Sequence, residues 1–171
     1  MKNKHQKIKI ITFLAMCTTV ALALSYVEAL IPPILPAVPG IKIGLPNVII
    51  LFVLYRFGVI EAATASFVRV ILSSMLFGTP FIFAYSLSGA ALSLAVMALL
   101  KRLDFLSRVG VSIAGAISHN LGQILLAMAL LNTAEIGYYM VILAISGVVS
   151  GFCVGMCGAI MIKRIRLNRL N

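Results

Sequence analysis

Apolar segments of membrane length fill nearly the whole chain and leave little choice of fold. Runs of about 18 or more mainly apolar residues read as transmembrane helices, and six pieces can be drawn: 8–31, 43–57, 59–77, 81–100, 109–131 and 137–162. The second is short for a span. Of 171 residues, 62% are hydrophobic and only 4 are acidic. A soluble core of that size could not hide so much apolar surface. The expected fold is all-α: a single polytopic membrane domain, a six-transmembrane-helix bundle with no soluble domain.

Breaks between the pieces are chemically distinct. Pro32, Pro33, Pro36, Pro39 and Gly40 follow the first apolar run. Proline fixes φ and removes a donor, so 32–40 is expected to be an ordered, non-helical loop. Pro46 falls in the first turn of the next helix, where proline is tolerated. Gly58, the Gly78-Thr79-Pro80 turn, Lys101-Arg102-Leu103-Asp104 and Asn132-Thr133-Ala134-Glu135 mark the remaining breaks. The first run follows a basic leader but is longer than the about 7–15 residues of a signal-peptide apolar core. It also lacks a small-residue cleavage pattern, so it reads as a retained helix.

The net charge of +10 does not point to nucleic acid, because the basic residues gather at the ends of apolar segments as topology determinants do. With the N-terminus inside, Lys2, Lys4, Lys7, Lys9, Arg56, Lys101, Arg102, Arg108 and the basic C-terminal tail are all cytoplasmic, and only Lys42 is outside. Both termini are expected in the cytoplasm, with lipid around the bundle. Cys17, Cys153 and Cys157 lie within apolar segments, which argues against a disulfide framework or zinc site. No cofactor-attachment motif is visible.

Arg69 and His119 break the pattern. Arg69 lies about ten residues into its helix, or about 15 Å along the axis, near the bilayer centre. Intramembrane charge is costly and is a functional-site hypothesis by default. Glu61, eight residues earlier, is too far for a direct intrahelical pair, so Arg69 needs a partner from another helix, water or a ligand. His119, Asn120 and Gln123 reach comparable depth on the fifth helix, and together with Arg69 they suit an anionic or strongly hydrogen-bonding group. A buried structural network is the competing reading. Asn47, Lys42, Glu28 and Tyr26 are placed to line an outer entrance, although Lys42 and Glu28 read more readily as interfacial anchors.

Two small-residue stripes remain. Gly147, Gly151 and Gly155 recur every four residues on the last helix and suit close helix packing inside the bundle. Ala15, Thr19 and Ala23 on the first helix suit either internal packing or another membrane subunit.

The stretch Pro39-Gly40-Ile41-Lys42-Ile43-Gly44-Leu45-Pro46-Asn47-Val48, set between the first two helices, resembles a bacterial membrane family called either Gx transporter or heptaprenyl diphosphate synthase component I. The resemblance extends over nearly the whole chain, including the Ser118-His119-Asn120 region. That family is similar to the substrate-binding S-components of energy-coupling factor (ECF) transporters. The resemblance implies a cell-membrane protein that binds a small solute in its outer half. Gly40, Lys42 and Gly44 would belong to the loop over the site, and Asn47, Arg69, His119, Asn120 and Gln123 would offer polar contacts. Ala15, Thr19 and Ala23 would dock an ECF transmembrane coupling subunit driven by cytoplasmic ATPases, with Thr19 departing from the usual alanine.

The enzymatic name fits the residues poorly. Prenyl diphosphate synthases hold magnesium through two aspartate-rich motifs, whereas this chain has one aspartate, Asp104. It also has no Gly-rich phosphate loop. The expectation is a non-enzyme with no cofactor of its own. A flavin or quinone-related solute is implied by the company such proteins keep. The alternative is an accessory subunit in isoprenoid-quinone synthesis or flavin-based extracellular electron transfer.

Overall fold

The computed structural model describes residues 2–31 and 43–165. They form α1 (Lys2–Leu30), α2 (Leu45–Arg56), α3 (Val59–Phe77), α4 (Pro80–Leu103), α5 (Arg108–Leu131) and α6 (Met140–Arg164), with a 3-10 segment at Ala134–Tyr139 before α6. There is no strand among the described residues. Five helices are long and apolar enough to cross a membrane, the 3-10 segment and α6 counting as one, and α2 is a shorter apolar helix. Several expected boundaries shift by a few residues, among them α2 to Leu45–Arg56, the end of α4 to Leu103 and the start of α6 to Met140, and two shift for evident physical reasons. The basic leader is itself helical, so α1 begins at Lys2 rather than 8. Pro80 opens α4, because proline's missing N–H costs nothing in a first turn.

Local chemistry sets the ends. Thr79 Oγ1 accepts the Ile82 N–H at 3.3 Å and Ser107 Oγ accepts the Gly110 N–H at 3.1 Å, capping α4 and α5. Those same two helices end on Asp104 (φ 52°) and Asn132 (φ 49°), both left-handed, and Asp and Asn are among the few non-glycine residues that tolerate this conformation. Gly58, at φ 136° between α2 and α3, holds a conformation that disfavours any side chain.

Side chains are sorted less strictly than in a soluble protein. Large apolar residues such as Met16, Ile60, Met75, Val141, Ile145 and Ile160 are exposed, while Ser25, Ser66, Arg69, Ser93, Ser112 and Gln123 are buried. Apolar side chains lose nothing by facing lipid, so association depends on close packing and internal polar contacts. Helix α2 is the exception to one-sided burial: every residue from Val48 to Leu54 is buried. It lies against α1, α3 and α6, with the Phe13 ring 6.3 Å from Phe52 and 5.5 Å from Phe57.

The glycine stripe of α6 packs inside the bundle. A Cβ on Gly151 would stand 2.6 Å from Ile113 Cα, and one on Gly155 would stand 2.8 Å from Val109 Cα. Helices α4 and α5 approach as closely, since a Cβ on Gly122 would meet the Ser88 carbonyl oxygen at 2.7 Å. Ser88 Oγ donates across that crossing to the Gly122 carbonyl at 3.1 Å.

Basic side chains close one end of the bundle. Arg56 donates to the carbonyls of Ile162 and Ile165 at the end of α6. Lys101 donates to the Leu54 carbonyl at 2.7 Å, and Lys101 and Arg108 both lie over the Tyr55 ring, at 5.2 and 5.8 Å. Helix C-termini carry orphan carbonyls and partial negative charge, and cations satisfy both.

Candidate functional site

Helix α2 reaches only part of the way through the bundle. Its 12 residues extend about 18 Å, against a hydrocarbon core of about 30 Å. Its C-terminal Arg56 is fixed at the basic end by α6. Its N-cap, Gly44, lies beside Val154 of α6, ten residues and about 15 Å before Arg164. The N-terminus of α2 is therefore held near mid-bundle. Non-helical backbone at such depth occurs only where protein buries it or a cavity is lined.

Four residues gather near that level, Gly44, Glu28, Asn47 and Arg69. Gly44 is left-handed (φ 77°) and has no side-chain cap of the usual kind. Its N–H is instead donated to the Glu28 carboxylate of α1. Asn47 folds back toward it, its Nδ2 3.4 Å from where a Cβ on Gly44 would stand. Arg69 of α3 lies about 15 Å from the basic end by its helical rise. Only 8% of it is exposed, and its charge interacts with that of Glu28. Its Nε has no hydrogen-bond partner among the described residues. A buried guanidinium donor without an acceptor is costly, and such an orphan atom in a membrane helix marks a place where an acceptor belongs.

Glu28, read above more readily as an interfacial anchor, turns toward the start of α2 and accepts the Gly44 N–H. Counting residues from the basic leader puts it at the far end of the bundle, but the leader is itself part of α1, and Glu28 is level with α2's first residues. The signal was available: an acid just before a proline-rich break, opposite a membrane arginine with no partner of its own. Glu61 folds over Gly58, with Oε2 2.9 Å from a Cβ position there, so it serves the start of α3 and not Arg69.

His119 and Gln123 share a face of α5 and pack against α4. Cβ placement at Gly89 would bring it 2.9 Å from His119 Nε2 and 2.8 Å from Gln123 Cγ, so the absence of a side chain there makes room for both. Gln123 is only 2% exposed. Asn120 points the other way: its Nδ2 donates to the Leu143 carbonyl of α6 at 2.7 Å. That bond ties α5 to α6 beside Gly147, whose missing Cβ would lie 3.3 Å from the same nitrogen. Asn120→Ala should cost about 0.6–2 kcal/mol of bundle stability, the range for interhelical hydrogen bonds in membranes. Thermal unfolding in detergent measures this, and a variant as stable as wild type would remove the bond from the packing account.

Gly40 and Lys42 lie outside the described residues, so only Gly44 of the expected covering loop is placed. Ala15, Thr19 and Ala23 all lie on the exposed face of α1, and Thr19 Oγ1 is turned back onto the Ala15 carbonyl at 2.9 Å. Cys17, Ala21 and Ser25 are the buried stripe of that helix. Internal packing of the Ala15 stripe is thereby ruled out.

No curated protein and no solved structure matches the chain. The family comparison is different. Residues 17–161, from the middle of α1 almost to the end of α6, match heptaprenyl diphosphate synthase component I, and the chain belongs to that family.

Proposed function

We propose that the chain is a membrane-embedded, solute-binding subunit that works as an S-component does within an ECF-type transporter. The observation that carries this reading is Arg69, a mid-bundle guanidinium that is 8% exposed and has an unsatisfied Nε. It faces an electrostatic partner on a neighbouring helix and lies level with the N-terminus of a half-length helix. Broken or short membrane helices that present their N-termini at mid-depth are a recurrent way of holding a polar solute. Asn47 belongs to this group; His119 and Gln123 line the α4–α5 side, and Asn120 contributes through packing. The solute is small, and flavin or quinone-related compounds are the first to test.

The subunit is non-catalytic in this reading. Asp104, its one aspartate, is the left-handed cap of α4 at the basic end. Energy would come from ATPases acting through a coupling subunit seated on Ala15, Thr19 and Ala23, small residues that leave the α1 backbone open to close approach. The basic end formed by Arg56, Lys101, Arg108, Lys163 and Arg164 faces the cytoplasm, by the excess of Lys and Arg on that side of membrane proteins. In this reading the chain sits in a bacterial cell membrane with both termini on the cytoplasmic side.

Ala15→Trp should abolish co-purification of a coupling subunit and its ATPases, because the indole fills the approach surface. Ile160→Trp, also exposed but on α6, should leave it intact. Native mass spectrometry after gentle extraction reads both, and a complex that survives Ala15→Trp refutes docking by this face. The family's name favours a second reading, a non-catalytic accessory subunit beside a separate prenyl synthase. Recovery of that partner with no retained solute would select it.

A further inference from the structure

We propose that Glu28 is the resident anion of an anion-binding subsite, and that a ligand carboxylate or phosphate group binds there by displacing it. This rests on the solute-binding reading of Arg69. The Glu28 carboxylate accepts the Gly44 N–H at the start of α2, and the buried Arg69 guanidinium of α3 lies within electrostatic range of it without a direct bond to it among the described residues. The positive end of a helix and a guanidinium are what a bound anion requires. Pro46, in the first turn, contributes no N–H, and the Asn47 N–H is taken by the Gly44 carbonyl at 2.9 Å. The Gly44 N–H is the amide seen to donate to a carboxylate there.

Arg69 is not saturated by Glu28. Among the described residues its Nε has no acceptor, in a side chain more than nine-tenths buried, so the subsite has donor capacity that Glu28 leaves unused. Adding a second anion beside Glu28 would set two like charges around one cation in a low dielectric, which is strongly unfavourable. Exchange avoids that. The incoming anion takes the Gly44 N–H and the guanidinium, including Nε, while Glu28 swings away on a half-exposed side chain. A neutral solute would leave Glu28 in place, so the response to removing its charge distinguishes the two ligand classes.

The test is Glu28→Gln, which keeps an oxygen acceptor for Gly44 and removes the competing charge. Full-length protein in detergent is titrated with inorganic phosphate at constant ionic strength, with chloride as the balancing anion, and thermal stability is followed. Because the competent fraction of sites multiplies the apparent affinity, phosphate should bind the variant about tenfold more tightly than wild type. Unchanged or weaker binding overturns the exchange, as does phosphate failing to stabilise either protein. Arg69→Gln separates this from the underlying reading: if it abolishes phosphate binding while Glu28→Gln fails to tighten it, displacement is wrong and the site stands. If Arg69→Gln has no effect, the site itself is wrong. Should Glu28→Gln not fold, the Gly44 amide resonance of wild type gives the answer. It should shift on adding phosphate while that of Gly78 does not, and a stationary Gly44 signal overturns the proposal.

Discussion

Gly151→Leu is expected to disrupt the contact between α5 and α6 and to lower the melting temperature of the detergent-solubilised protein more than any single loss of a polar contact. The added Cβ alone would stand 2.6 Å from Ile113 Cα, 3.0 Å from Ala116 Cβ and 3.0 Å from the Ser112 carbonyl oxygen. Two of those three are backbone atoms that cannot rotate away. Overpacking usually costs about 1–3 kcal/mol where side chains can adjust, and here whole helices must separate, so about 3 kcal/mol or more is expected. Separation also strains the Asn120 bond to the Leu143 carbonyl, because both belong to the same interface. Cys153→Leu is the matched control: two residues along the same helix, it is exposed, and a leucine there meets lipid. It should change stability by no more than about 0.5 kcal/mol. Equal losses in the two variants would show that α6 does not use its glycine face as described.

The helices were legible because each break carries its own chemistry, and because long apolar runs have few alternatives. Arg69 was legible as a buried charge from its distance along α3 alone, and the glycine spacing of α6 announced a packing face. The acid within reach of Arg69 was legible only in part: the place of Glu28 before the proline-rich break hinted at it, and its depth was hidden. Depth along a helix follows from residue counts only if the helix starts where its apolar pattern starts, and the helical leader of α1 breaks that condition for Glu28. The direction of side chains on α5 was equally hidden: His119, Asn120 and Gln123 lie close in sequence, yet two pack toward α4 through Gly89 and one bonds to α6. Sequence spacing gives their face relative to one another, and only the position of neighbouring helices says what each face meets. The Ala15 stripe is the converse case. Its spacing fits either interior or exterior, and Cys17, Ala21 and Ser25 settle the matter by filling the interior themselves.

Replacing Arg69 should separate function from folding more sharply than any other change. Arg69→Leu removes the donor that an acidic or carbonyl group on the solute would meet, and loss of a desolvated charge partner costs about 2–5 kcal/mol of binding. Affinity for a solute that co-purifies with wild type should therefore fall by about 30-fold or more. Stability need not follow. Leucine is favoured over arginine at the centre of a membrane helix by about 3–4 kcal/mol on insertion scales, but the single variant strands the Glu28 charge beside the start of α2, and stranding one member of a pair offsets that gain. Combining Arg69→Leu with Glu28→Gln removes both charges while an amide oxygen remains to accept the Gly44 N–H. That double variant should melt at or above wild type and bind nothing. The measurement is paired: thermal unfolding, and equilibrium binding of the co-purifying solute, on wild type, single and double variants. If the double variant is stable and still binds with wild-type affinity, Arg69 and Glu28 form a structural pair and the solute lies elsewhere. If it is unstable as well as inactive, the charge pair contributes to folding in spite of its desolvation. The outcome expected from an orphaned Nε at mid-bundle is a protein made more stable, and useless, by losing its one membrane-centre arginine.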